Sequence, residues 1–70
     1  MRRKPVDSSA IAAVGYDPEN EILEVEFRSG TIYRFFDVPP EIHRDFLETS
    51  SKGRFFGREI RGQYDSTRDR

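Results

Sequence analysis

Ile22-Leu23-Glu24-Val25-Glu26-Phe27 alternates apolar and polar residues, Arg28-Ser29-Gly30 interrupts the alternation, and Thr31-Ile32-Tyr33-Arg34-Phe35 resumes it. The two runs and the break between them define a hairpin. A period of two places Leu23, Val25 and Phe27 on the inner face of a half-buried strand and Glu24 and Glu26 on the outer one. Two registers compete for the returning strand. A two-residue Ser29-Gly30 loop would pair Phe27 with Ile32 and set Val25 opposite Arg34. A three-residue loop, with Gly30 in the left-handed position of a G1 bulge, pairs Val25 with Tyr33 and Leu23 with Phe35. It also sets Glu24 opposite Arg34, a favourable cross-strand pair. The second register satisfies both faces. It is the one expected, because a slip of one residue reverses every side chain.

Working outward, residues 10–16 read as a first strand, with Val14 and Tyr16 on one face and Ile11 and Ala13 on the other. Asp17-Pro18-Glu19-Asn20 is a turn: Asp starts it, Pro presets φ, and Asn tolerates a left-handed conformation. Asp37-Val38-Pro39-Pro40 stops the third strand and starts a helix, with Pro40 at the first helical position. Glu41 and Asp45 lie towards its N-terminal end, where negative charge is favourable. Ile42, Phe46 and Leu47 form a narrow apolar stripe, and the helix fades near Thr49. Ser50 or Ser51 caps a second, short helix through Phe55 and Phe56, which Gly57 ends. Ile60 and Tyr64 remain as isolated anchors of an extended tail. The polar ends, residues 1–7 and 65–70, read as disordered, which leaves 8–64 as the folded domain. The expected class is α+β: a three-stranded antiparallel meander with one helix and a short second helix packed on one face.

A chain of 70 residues with 34% hydrophobic and 36% charged residues has a thin core under a heavily charged surface. Cysteine is absent, which excludes disulfides and thiolate metal sites. No apolar run approaches the roughly 18–20 residues of a membrane span, and no apolar stretch follows the basic start to make a secretory signal. A cytoplasmic protein with no membrane contact is expected. The layout of charge says more than its sum of −1. Residues 17–48 hold nine acids against three arginines, whereas residues 49–70 hold six bases against three acids. Ten of the twelve bases are arginine, the residue suited to planar contacts with carboxylate or phosphate.

Several short motifs, taken in order, resemble those of the KTSC domain family. They are Ser8-Ser9-x-Ile11, Gly15-Tyr16-Asp17, Leu23-x-Val25-x-Phe27, Gly30-x-x-Tyr33-x-Phe35, Val38-Pro39, Ser51-Lys52-Gly53-x-Phe55-Phe56 and Ile60-Arg61-x-x-Tyr64. The family occurs as small stand-alone bacterial proteins and at the C-terminus of some lysyl-tRNA synthetases. Its central Tyr-x-Tyr is here Tyr33-Arg34-Phe35, so the second phenol is missing. The resemblance implies a small module whose attachment to a tRNA-charging enzyme points to RNA.

Tyr33 and Phe35 read as core beneath the helix rather than as an RNA-stacking platform, with the Tyr33 hydroxyl reaching a polar partner at the edge. Lys52, Arg54, Arg58 and Arg61, threaded with Phe55, Phe56 and Tyr64, admit two readings. Either they contact phosphate, with Ser51-Lys52-Gly53 offering main-chain N–H groups, or they pair with the acidic middle of the same chain. Lys52, Arg54, Arg58, Arg61 and Tyr64 are therefore the candidate nucleic-acid residues. His43 falls off the apolar stripe and reads as a surface residue. The serines have no base and orienting acid, Gly53-x-x-x-Gly57 is too short for a P-loop, and one His without Cys leaves no metal-ligand cluster. Neither an enzyme nor a cofactor is expected. The rival to RNA binding is a protein-interaction or homodimerisation module. It would use a strand edge or an outer apolar patch of Ile22, Ile32 and Phe36, unless a terminal tail covers that patch.

Overall fold

The computed structural model describes residues 3–70. Five strands form one antiparallel sheet in sequence order: β1 (Lys4–Pro5), β2 (Ile11–Asp17), β3 (Ile22–Phe27), β4 (Ile32–Phe35) and β5 (Ser66–Arg68). Between β4 and β5 run the helix α1 (Pro40–Glu48) and the short α2 (Lys52–Phe55), which widens into a π-helical turn at Phe56–Ile60. The class is α+β, but the sheet has five strands where three are expected.

The central register is the expected one. Leu23 faces Phe35, Glu24 faces Arg34 and Val25 faces Tyr33. Gly30 sits at φ +97°, and the loop closes through Phe27 N–H on the Thr31 carbonyl at 2.9 Å. In the preceding turn the Asp17 carboxylate accepts from the Glu19 and Asn20 amides at 3.1 and 3.3 Å. The left-handed residue there is Glu21, at φ 55°, rather than Asn20.

The two outer strands correct the reading of the ends as disordered. Met1 and Arg2 lie outside the described residues; from Lys4 onward the N-terminal segment pairs with β2, and residues 66–68 pair with β4. Main-chain bonds hold both, among them Val6 N–H to Ala12 (3.1 Å), Asp69 N–H to Ile32 (2.7 Å) and Ile32 N–H to Arg70 (2.9 Å). Side-chain ties reinforce them: Arg3 to Glu24 and Glu26, and Arg34 to Asp69 at 3.8 Å. All three residues of β5 are exposed, so no apolar alternation marks that strand in the sequence.

Three faces are also reassigned. A bulge between Ile11 and Ala13 turns Ile11 back to the inner side, where it is fully buried, because an extra residue shifts the pleat by one. Glu24 points to the outer face yet is only 2% exposed, since the Arg3 and Arg34 side chains bond to its carboxylate from either side. The outer apolar patch does not form. Ile32 is buried beside the Asp69–Arg70 backbone, and Ile22 and Phe36 are half-buried.

The core is Ile11, Val14, Leu23, Val25, Phe35, Val38, Phe46, Phe55 and Ile60. From α1 only Phe46 is fully inside, stacked on Phe55 with centroids 5.5 Å apart; Leu47 stands exposed. The second helix does not stop at Gly57. Its last turn closes by an i→i+5 bond from Arg61 N–H to the Phe56 carbonyl at 2.8 Å, so Ile60 is a buried helical residue rather than a tail anchor. Ser51 occupies the cap position of α2 without a side-chain cap bond. No helix among the described residues is long and apolar enough to cross a membrane.

Candidate functional site

At the β4–β5 side of the sheet a groove of about 410 Å³ opens between the strand face and the π-helical turn. Its aromatic lining is Phe27, Tyr33, Phe35 and Phe56. The register explains this assembly, since Phe27, Tyr33 and Phe35 all project to the inner face. Phe56 reaches them from the helix, edge-to-face with Phe27 at 5.1 Å and with Phe35 at 5.5 Å. Tyr33 in turn meets Phe27 edge-to-face at 6.1 Å. Such T-shaped contacts set the positive edge of one ring against the negative face of another and hold the rings in place.

The rim is polar. Ser29 and Thr31 come from the β3–β4 loop, Ser66 from β5, and Arg61 from the turn that follows the π-helix. Gly62 in that turn adopts φ +80°, a conformation that L side chains rarely take, and it lets the chain reverse towards β5. Pairing of Tyr33 with Arg68 across β4 and β5 places Arg68 beside the same face. Arg68 Nε donates to the Arg70 carbonyl at 3.2 Å, which steadies an exposed side chain.

The residues singled out in the sequence disperse. Tyr33 and Phe35, read together as core, divide: Phe35 is 4% exposed, whereas Tyr33 is half-buried and lines the groove. No hydrogen bond to the Tyr33 hydroxyl occurs among the described residues, contrary to the expected polar partner. The buried position is the one without a phenol, where a hydroxyl would require a partner. Lys52 turns its ammonium to the Thr49 and Leu47 carbonyls at 2.8 and 3.3 Å, closing the end of α1. Arg58 bonds Glu59 at 2.9 Å, Arg54 is exposed on the helix, and Tyr64 packs against the core. Of the four basic candidates only Arg61 reaches the groove.

The expected alternative, arginines of the last third paired with the acidic middle, does not hold for these residues. Among the described residues no ion pair joins Lys52, Arg54, Arg58 or Arg61 to an acid of residues 17–48; Glu24 is instead matched by Arg3 and Arg34. Burial by itself would raise the Glu24 carboxyl, but the Arg34 and Arg3 hydrogen bonds overcome this and hold it below the usual carboxylate range. Phe27, Ser66 and Arg68 are residues of this face that the sequence reading does not single out, and Phe56 enters it only as an aromatic threaded through the basic segment. Phe27 is legible only as core, and Arg68 can be aimed only once β5 is known to exist.

A second recess of about 450 Å³ lies on the other side, against α1. There His43 stacks on Tyr16 with centroids 4.5 Å apart, and the Tyr16 hydroxyl donates to the Val38 carbonyl. His43 is thus half-buried packing rather than a surface residue, and burial, aided by Lys4, lowers its pKa.

Comparison with known proteins places this geometry. An uncharacterised protein of Stutzerimonas stutzeri is 47% identical over 64 residues, covering 91% of this chain and 90% of that protein. A lysine–tRNA ligase of Nostoc punctiforme is 34% identical over 58 residues; these are 83% of this chain but only 10% of the ligase. The crystal structure of a KTSC domain protein from Yersinia pestis superposes with a TM-score of 0.93 at 42% identity, over 96% of this chain and 94% of that one. The family model for the KTSC domain matches residues 7–64, and the chain belongs to the KTSC domain family.

Proposed function

We propose that this domain is a non-enzymatic module that binds RNA weakly through the basic segment of residues 52–61 together with the adjoining groove. One observation carries the reading: Arg61, free of any ion pair among the described residues, stands at the rim of an aromatic groove. A cation that no carboxylate neutralises beside exposed ring surface is the pairing by which single-strand binders hold a backbone and its bases. Arg54, likewise outside any ion pair among the described residues, extends the positive surface along the helix. The sequence relation to segments of lysine–tRNA ligases supports the same direction.

With only a few phosphate contacts the affinity is low and falls steeply with salt. Titrating the isotopically labelled chain with single-stranded and structured RNA at low and moderate salt tests this. Chemical shifts that move between residues 52 and 68 at low salt and recover at moderate salt are the expected result. Residues 52–64 that stay still at low salt refute the proposal.

The open edge of β5 supports a second reading, strand addition by a partner protein, because β5 ends the sheet order and all its residues are exposed. In that case RNA leaves the spectrum unchanged, and raising the protein concentration or adding an extended partner peptide shifts the β5 amides.

A further inference from the structure

We infer that the groove holds one unpaired nucleotide, its base packed against Tyr33 and its phosphate on Arg61 and Arg68. This rests on the RNA reading and assigns the site within it. Three observations converge. The space of about 410 Å³ is the size of a small-ligand pocket, which runs from roughly 300 to 1,000 Å³. Its lining combines an aromatic wall with a few hydroxyls at the rim, namely Ser29, Thr31 and Ser66, which suits a flat ring with polar edges. Ser29 and Thr31 hydroxyls already lie 3.3 Å apart, a pair able to exchange partners with the edge of a base.

The charges fit the other half of a nucleotide. Arg61 enters from the turn after the π-helix and Arg68 from the strand position opposite Tyr33, and neither is in an ion pair among the described residues. Two guanidinium groups on separate elements, one lining the groove and one on the strand position opposite Tyr33, match a phosphate displaced to the side of a stacked base. A base inside a duplex cannot use the groove, since both its faces are covered by its neighbours and its edge is paired. A π-helical turn forms one wall, a feature often found at binding sites.

Amide shifts of the full chain, measured separately with adenosine 5′-monophosphate, adenosine, inorganic phosphate, single-stranded RNA and an RNA duplex, test the assignment. The mononucleotide is expected to move Tyr33, Phe56, Arg61, Gly62 and Arg68, more than adenosine or phosphate does. Tyr33→Leu, which keeps an apolar side chain, should weaken single-strand binding about tenfold, the scale of one lost stacking contact. Arg61→Gln should reduce the magnitude of the log–log salt slope for single strands by about 0.7, the share of one phosphate contact. Single-stranded RNA that shifts only Arg54 and Arg58, with no response to the mononucleotide, overturns the assignment and leaves the RNA reading standing. Equal response to phosphate and mononucleotide, or to duplex and single strand, also overturns it. Silence towards every probe removes both.

Discussion

Arginine serves opposite ends on the two faces of this sheet. On the outer face Arg3 and Arg34 converge on Glu24, with Glu26 and Asp69 completing the row. Both of these arginines are met by carboxylates, and the result ties the first and last strands to the middle of the sheet. On the groove face Arg61 lines the aromatic groove and Arg68 lies opposite Tyr33, neither in an ion pair among the described residues. One row holds the fold together; the other is available to a ligand. A near-neutral total conceals this division, because it does not say which arginines meet a carboxylate.

The largest expected effect comes from removing the core residue behind the groove, on which the whole sheet rests. Phe35→Ala, in a position 4% exposed, should cost about 3–5 kcal/mol in chemical denaturation and leave little folded protein to carry either row. A stable variant would mean that the sheet does not depend on this face. Next comes Glu24→Gln, which keeps the shape but removes the charge that both arginines share. A loss of about 2 kcal/mol is expected, moderated because both partners are partly solvated, with faster amide exchange in residues 4–6 and 66–69. Unchanged exchange at both ends would show that main-chain pairing alone fastens them.

Acidity separates the faces more gently. Glu24 titrates lower in the folded chain than in the unfolded one, so its contribution is complete above about pH 4.3 and is lost as pH falls through its folded value. His43 also titrates lower when folded, so its contribution is complete above about pH 6.5 and declines below that. Denaturation midpoints should therefore fall modestly between pH 7 and 5, and His43→Phe should flatten that first decline while leaving the second. A decline of the same size in His43→Phe would assign it elsewhere. The smallest effect on stability is expected for Arg61→Gln, within about 0.5 kcal/mol of the parent, although RNA binding weakens. A larger loss would place Arg61 among the structural arginines and erase the contrast.

How much of this was legible can be judged at particular residues. The Leu23–Phe35 and Glu24–Arg34 pairs follow from alternation and one glycine, because both signals are local. Ile11 was assigned to the wrong face because a bulge leaves no mark in a run of small and apolar residues. Ser66, Thr67 and Arg68 were read as a disordered end, since an exposed edge strand is held by main-chain bonds that any sequence can make. That the Lys52 ammonium meets two carbonyls at the end of α1 is not legible in the sequence, because it depends on how the two helices meet.

By itself the sequence determined the class, the central hairpin with its register and the start of α1, all of them set by periodicity, turn residues and proline over a few neighbouring positions. It also carried enough motifs in order to point to the family. The folded chain alone settles that the ends join the sheet, that Glu24 is buried between arginines, and that Tyr33 is half-buried against the core while Phe35 lies inside it. Those outcomes depend on which residues meet across the fold, from Pro5 beside Ala13 to Tyr33 beside Arg68. Burial and ion pairing are properties of that meeting, and no local pattern encodes them.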